Sequence, residues 1–140
     1  MFQQASCQLT PCLRLVRVAR TFTSTTLEAL GCPPDTVADC VTVVSELVAN
    51  AIEAETKDAP GMSPDELPLI GVRLEVTDES VMMVVSDSSP GDLVEYQPSL
   101  DDERHRGEKV VAVLCGQAAT VRYLPDRTKE VRASMRRHAA

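Results

Sequence analysis

The chain has 140 residues, 14 Lys+Arg against 21 Asp+Glu, two histidines and no tryptophan. That length suits one domain, residues 1–140, with a core of its own and is short for two. No run approaches the roughly 18 apolar residues of a membrane span, and the opening MFQQASCQLTP lacks the basic and apolar blocks of a secretory signal, so a cytoplasmic protein with no membrane contact is expected.

Charge is unevenly spread, with 5 Lys+Arg against 15 Asp+Glu over residues 1–100 and 9 against 6 over residues 101–140. A duplex-binding protein needs a basic face, which the acidic total opposes, and two Phe and two Tyr leave little on which to stack single strands. No direct nucleic-acid contact is expected. The five cysteines are odd in number and scattered, with no C-x-x-C pair, which points to reduced, mostly buried thiols and away from a zinc site or disulfide framework.

In chain order, Thr10-Pro11 reads as a helix start, and apolar residues at Leu13, Val16, Ala19, Phe22, Leu27 and Leu30 carry a first helix over about residues 11–30 to a left-handed cap at Gly31. A second helix starts at Pro33-Pro34-Asp35, with Asp35 as its cap. Steps of three and four put Val37, Val41, Val44, Val48 and Ala51 on one face and Asp39, Thr42, Glu46, Asn50 and Glu53 on the other. Residues 56–67 read as a loop. Ile70, Val72, Leu74 and Val76 alternate with polar residues as a half-exposed strand, and after an Asp78-Glu79-Ser80 turn VMMVVSD reads as a central one. Residues 88–105 have no periodicity and are longer than an ordinary connection, which marks a lid or disorder. EKVVAVLCGQ is helical with Gly116 as its stop, and ATVRYL and EVRASM close as a hairpin around Pro125-Asp126-Arg127. This order predicts an α+β fold, a two-layer sandwich with one mixed sheet covered on one face by helices.

Three stretches have the chemistry of a site. Glu46 and Asn50 place a carboxylate and an amide oxygen on one helix face, enough for a Mg²⁺ that keeps most of its waters and for a proton acceptor beside it. A solvated polar face is the plainer reading of the same spacing. Asp87, ending a buried strand in VVSDSSPG, can accept from an exocyclic amine such as that of adenine, or can simply form a turn. In RHRGEK, Gly107 just before a helix, with Arg104 and Arg106, suits an anion, or is a flexible basic stretch.

Together these stretches resemble the small anti-sigma-factor serine-protein kinases, within the ATPase group that includes histidine-kinase catalytic domains, Hsp90, gyrase B and MutL. The resemblance runs from VRVARTFTSTTLEALG through VVSELVANAIEA, VVSDSSPG and HRGEKVVAVLCG to the hairpin, and SELVANA is its most specific part. It implies a histidine-kinase-type ATPase fold, ATP and Mg²⁺ as ligands, Asn50 as the metal ligand, Glu46 as base or water-orienting group, Asp87 as adenine reader, and Gly91 as the second glycine of an Asp-x-Gly-x-Gly motif. Arg106 and Gly107 would lie near the phosphates. Implied partners are a sigma factor, an anti-sigma-factor antagonist with a serine to phosphorylate, and a second copy in a homodimer.

The sequence departs from that pattern at Ser89 and Pro90 in the first glycine motif, and at His105 and Glu108 in the second. The Thr usual near adenine has no secure counterpart, Thr128 being early and Glu130 falling at the matching position. These departures keep open a degenerate module of the same fold that binds a protein partner without catalysis and with little or no nucleotide.

Overall fold

A computed structural model describes residues 2–57, 59–88, 103–126 and 128–138, without the side chains of residues 103–105. Five strands, β1 (Gln3–Leu9), β2 (Ile70–Val76), β3 (Ser80–Asp87), β4 (Thr120–Tyr123) and β5 (Lys129–Arg136), form one sheet in the order β1-β2-β3-β5-β4. Three helices, α1 (Val16–Ala29), α2 (Pro34–Lys57) and α3 (Glu103–Cys115), lie on one face. No helix among the described residues is long and apolar enough to cross a membrane.

The two layers and the one-sided helices match expectation, whereas the mixed sheet does not. Every pairing is antiparallel: β1 with β2, β2 with β3, β3 with β5 and β4 with β5. After β3 the chain passes through α3 to β4, which runs in the same sense as β3. The hairpin then folds back and slots β5 between them, so these two like-directed strands never touch.

The first strand also escapes the sequence reading. In QQASCQL, Ala5, Cys7 and Leu9 do alternate inward, but Gln and Ser between them and small side chains give a weak strand signal at a sheet edge. Because Leu9 is still paired with Ile70, Thr10 to Cys12 must turn the chain; a 3-10 turn over Leu13–Leu15 follows, and α1 begins at Val16 instead of near residue 11.

Its C-terminus is as expected. Gly31 has φ 77°, its N–H donates to the Glu28 carbonyl and that of Cys32 to the Leu27 carbonyl, the paired bonds of a Schellman cap. Gly116, φ 75°, ends α3. At the start of α2 the Val37 N–H bonds the Pro33 carbonyl, so Pro33 is the cap, Pro34 the first helical residue, and Asp35 lies in the first turn beside the positive end of the helix dipole.

The core lies between α2 and the sheet. Val43, Val44, Val48 and Cys40 of α2 are fully buried against Ile70, Leu74, Val81 and Met83, with Leu27 of α1 alongside. Cys32 and Cys40 are buried and Cys7, Cys12 and Cys115 half-buried, all five as free thiols. Burial pushes the Cys40 thiol up to about 12, the neighbouring Cys32, Cys115 and Asp39 adding to the rise.

Candidate functional site

On α2, Glu46 and Asn50 are half-buried, so the freely solvated face that their spacing also allowed is not what forms. Over Glu46 the cover is α3, which packs against α2. Gly107 of α3 is buried, and a methyl group built on its backbone would overlap a Glu46 carboxylate oxygen and stand 3.1 Å from Glu46 Cδ. Absence of a side chain at 107 is therefore what lets the two helices meet at the carboxylate.

That contact corrects one expectation. Gly107 does not precede a helix; α3 begins at Glu103, a full turn earlier. In the regular i to i−4 pattern its N–H points at the carbonyl of residue 103 and not at an anion. Glycine, taken as a helix breaker, is here a close-approach position inside a helix. Arg106 is exposed on α3. Gly91, Ser89 and Pro90, with most of the stretch read as a lid, lie outside the described residues, as do the side chains of Arg104 and His105.

Asp87 ends β3 and is 2% exposed. Side chains alternate across a strand, so Asp87 shares the helix side of the sheet with Val81, Met83 and Val85. Directly opposite on β5 is Lys129, whose Nζ stands 3.4 Å from Asp87 Oδ2. The residue facing Asp87 from the last hairpin is thus Lys129 and not Glu130. Glu130 points to the open face, where its carboxylate accepts from Arg132 Nη2 at 2.9 Å and Arg73 Nη1 at 3.3 Å. Burial alone would raise the Glu130 carboxyl, but these two guanidinium groups outweigh it and hold it below the usual glutamate value of 4.5. The signal for Lys129 was available: the inward series Met135, Ala133, Val131 continues to 129.

A second residue that the sequence reading passed over ties helix to strand end. Glu55, 7% exposed on α2, accepts through Oε1 from the Ser88 N–H at 2.6 Å and the Ser88 hydroxyl at 3.0 Å. Its signal was a carboxylate four residues beyond Ala51, on the apolar stripe. The latch lies five residues, about 7.5 Å along the helix axis, from Asn50. So the C-terminal half of α2 is tied to the C-terminal end of β3, next to Asp87.

Two surface depressions, one of about 330 Å³ around Gly71 and Arg73 on the open sheet face and one around Phe22 on the outside of α1, are lined by none of these three residues. No group of three or more His, Cys, Asp or Glu side chains among the described residues has metal-binding geometry. A nucleotide-bound Mg²⁺ asks for less, one or two hard oxygens, and the Asn50 amide and Glu46 carboxylate are of that kind.

One antiparallel five-stranded sheet covered on one face by three helices is an α+β fold. Residues 9–110 match the family described as Histidine kinase-like ATPase domain. The chain belongs to that family.

Among solved structures it is similar to the RsbU and RsbW domains of Rv1364c from Mycobacterium tuberculosis, at 19% identity and a TM-score of 0.69, over 99% of this chain and 33% of that one. It is also similar to the SiaB-SiaC complex from Pseudomonas aeruginosa, at 12% identity and a TM-score of 0.68, over 94% of this chain and 88% of the other. At these identities the likeness is one of fold, and the chain spans a third of the length of the first. No curated protein matches.

Proposed function

We propose that the chain is an ATP-binding regulator that works through protein partners, in the manner of anti-sigma-factor serine kinases, in the cytoplasm. One observation carries the reading: Glu46, half-buried, meets Gly107 of α3, on a helix that also bears half-buried Asn50 and that Glu55 latches to Ser88, beside buried Asp87 at the end of β3. Asp87 accepts from the adenine amine, and Asn50 supplies an oxygen to Mg²⁺. Bound there with the nucleotide, Mg²⁺ would neutralise phosphate charge during transfer. Glu46 takes the proton of an incoming partner serine hydroxyl as the bond from its oxygen to the γ-phosphorus forms and the bond to the ADP oxygen breaks. Arg106 on α3 serves the phosphates, whereas Gly107 serves by admitting the Glu46 carboxylate. The partner is a sigma factor or an anti-sigma-factor antagonist, and the regulator works as a homodimer.

A thermal shift with Mg-ATP and Mg-ADP, on wild type and on Asn50→Ala, tests the binding. Ligand at 100 times its dissociation constant adds about 2.7 kcal/mol of stability. Stabilisation of the wild type that disappears in Asn50→Ala is the expected result; none at millimolar nucleotide would sink the reading. Transfer of labelled phosphate to a partner serine, lost in Glu46→Ala, is the test of the kinase step. A second reading, a degenerate partner-binding module without transfer and with little or no nucleotide, is favoured by the closeness of Gly107 to Glu46, and it predicts little or no nucleotide stabilisation and no labelled product.

A further inference from the structure

β1 and β4 are the two edges of the sheet, and the chain treats them differently. An edge strand presents a row of backbone N–H and C=O groups to any chain that can pair with it, and proteins blunt such rows with shortness, charge, proline or a bulge. β4 is four residues long and bears Arg122. β1 has none of these devices. It runs for seven residues, QQASCQL, without a charge or a proline, and no charged residue occurs between Phe2 and Leu13. Its register with β2 is one-to-one from Gln3 opposite Val76 to Leu9 opposite Ile70, so no bulge turns the edge away. Among the described residues its other side pairs with no strand.

Cover is incomplete there as well. On the helix side of β2, Val72 and Leu74 are buried, whereas the small side chains facing them from β1, Cys7 and Ala5, are only half-buried. On the open face Gln4, Ser6 and Gln8 are exposed. Copies of a chain with net charge −7 repel one another, and a neutral strip is where two of them can meet without setting like charges together. The strip is also self-complementary. With two copies of β1 antiparallel about a two-fold axis normal to the sheet, full overlap sets Ser6 opposite its own counterpart, Gln4 opposite Gln8 and Ala5 opposite Cys7 of the second copy. A slip of one residue would face helix-side residues with open-face ones, and a slip of two would leave residues unpaired at the strand ends.

We infer that the β1 edge is taken by a second copy of this chain, joined strand to strand so that two five-stranded sheets become one continuous sheet with the helices of both copies on the same side. The inference rests on the homodimer proposed above and deepens it by assigning its interface. Glu46, Asn50 and Asp87 lie on other elements, α2 and β3, so the nucleotide reading stands or falls separately.

Sedimentation equilibrium of the whole chain over a concentration series tests it, on wild type and two double variants. Gln4→Lys with Gln8→Lys sets lysine opposite lysine at two places across the two-fold axis; Gln4→Lys with Gln8→Glu, at the same exposed sites, sets lysine opposite glutamate. Wild type should dimerise, and the lysine–glutamate variant should self-associate about tenfold more tightly than the lysine–lysine variant. Long-range repulsion alone predicts the reverse order, because two added lysines bring the chain closer to neutrality. A dimer that both variants keep equally overturns this interface and leaves the homodimer standing; a dimer that both lose equally overturns the facing of residue 4 with residue 8. A wild type that is monomeric throughout overturns the homodimer and its interface together, without any variant having to fold and without bearing on nucleotide stabilisation.

Discussion

Glu55 offers a sharp test of how α2 is fixed over the end of β3. One of its carboxylate oxygens takes two donors, the Ser88 N–H at 2.6 Å and the Ser88 hydroxyl at 3.0 Å, in a setting where the residue is 7% exposed. Hydrogen bonds to a charged group contribute about 1.5–3 kcal/mol each. Two bonds on one oxygen do not add in full, and half-buried Ser88 recovers part of the loss from water. Alanine also returns a few tenths of a kcal/mol of helix propensity. Glu55→Ala should therefore cost about 2 kcal/mol, or about 6 °C in Tm for a chain of this size. Glu55→Gln keeps a carbonyl oxygen in place and should cost about half as much. Urea unfolding followed by circular dichroism measures both. An alanine variant within about 0.5 kcal/mol of wild type, or a glutamine variant as damaging as alanine, would refute the latch.

Two further outcomes follow from the site and its reverse face. Gly107→Ala should gain the about 0.5–1 kcal/mol of helix propensity only in a Glu46→Ala background, because in the wild type the new methyl meets the Glu46 carboxylate; equal gains in both backgrounds would mean the helices are not in close contact there. Glu130, whose folded ionisation lies below its ordinary 4.5, stabilises the protein fully above that value and loses this contribution as pH falls through the lowered one. Between about pH 6 and pH 3 the stability gap between wild type and Glu130→Gln should accordingly close, and a gap that stays constant would contradict the Arg73 and Arg132 pairing.

Much of the layer plan was legible because its determinants are local. Gly31 and Gly116 end helices through a backbone conformation that glycine adopts without cost, and the alternation from Ile70 to Val76 follows directly from a half-covered strand. The candidate residues Glu46, Asn50 and Asp87 stood out for a similar reason, as polar groups within or at the end of largely apolar elements. What could not be read depends on neighbours far along the chain. The strand at Gln3–Leu9 is held by pairing with β2 some seventy residues on, and its own composition argues for it only faintly. The start of α3 was misplaced because glycine was weighed as a breaker, when its packing against Glu46 decides. Glu55 and Lys129 were overlooked because a charged side chain was assumed to face water, although each falls on the inward parity of its element.

The position of β5 has a consequence for how the molecule comes into being. Synthesis runs from the N-terminus, and β3 must wait with one edge bare until β5, the last strand in sequence order, is made and inserts between β3 and β4. At translation speeds of about 5–20 residues per second the wait lasts some seconds. During that interval Asp87 lacks its lysine, and a hydrophobic strand edge is open to any passing chain. A nascent protein of this topology therefore has most to gain from chaperone cover just before its final hairpin appears.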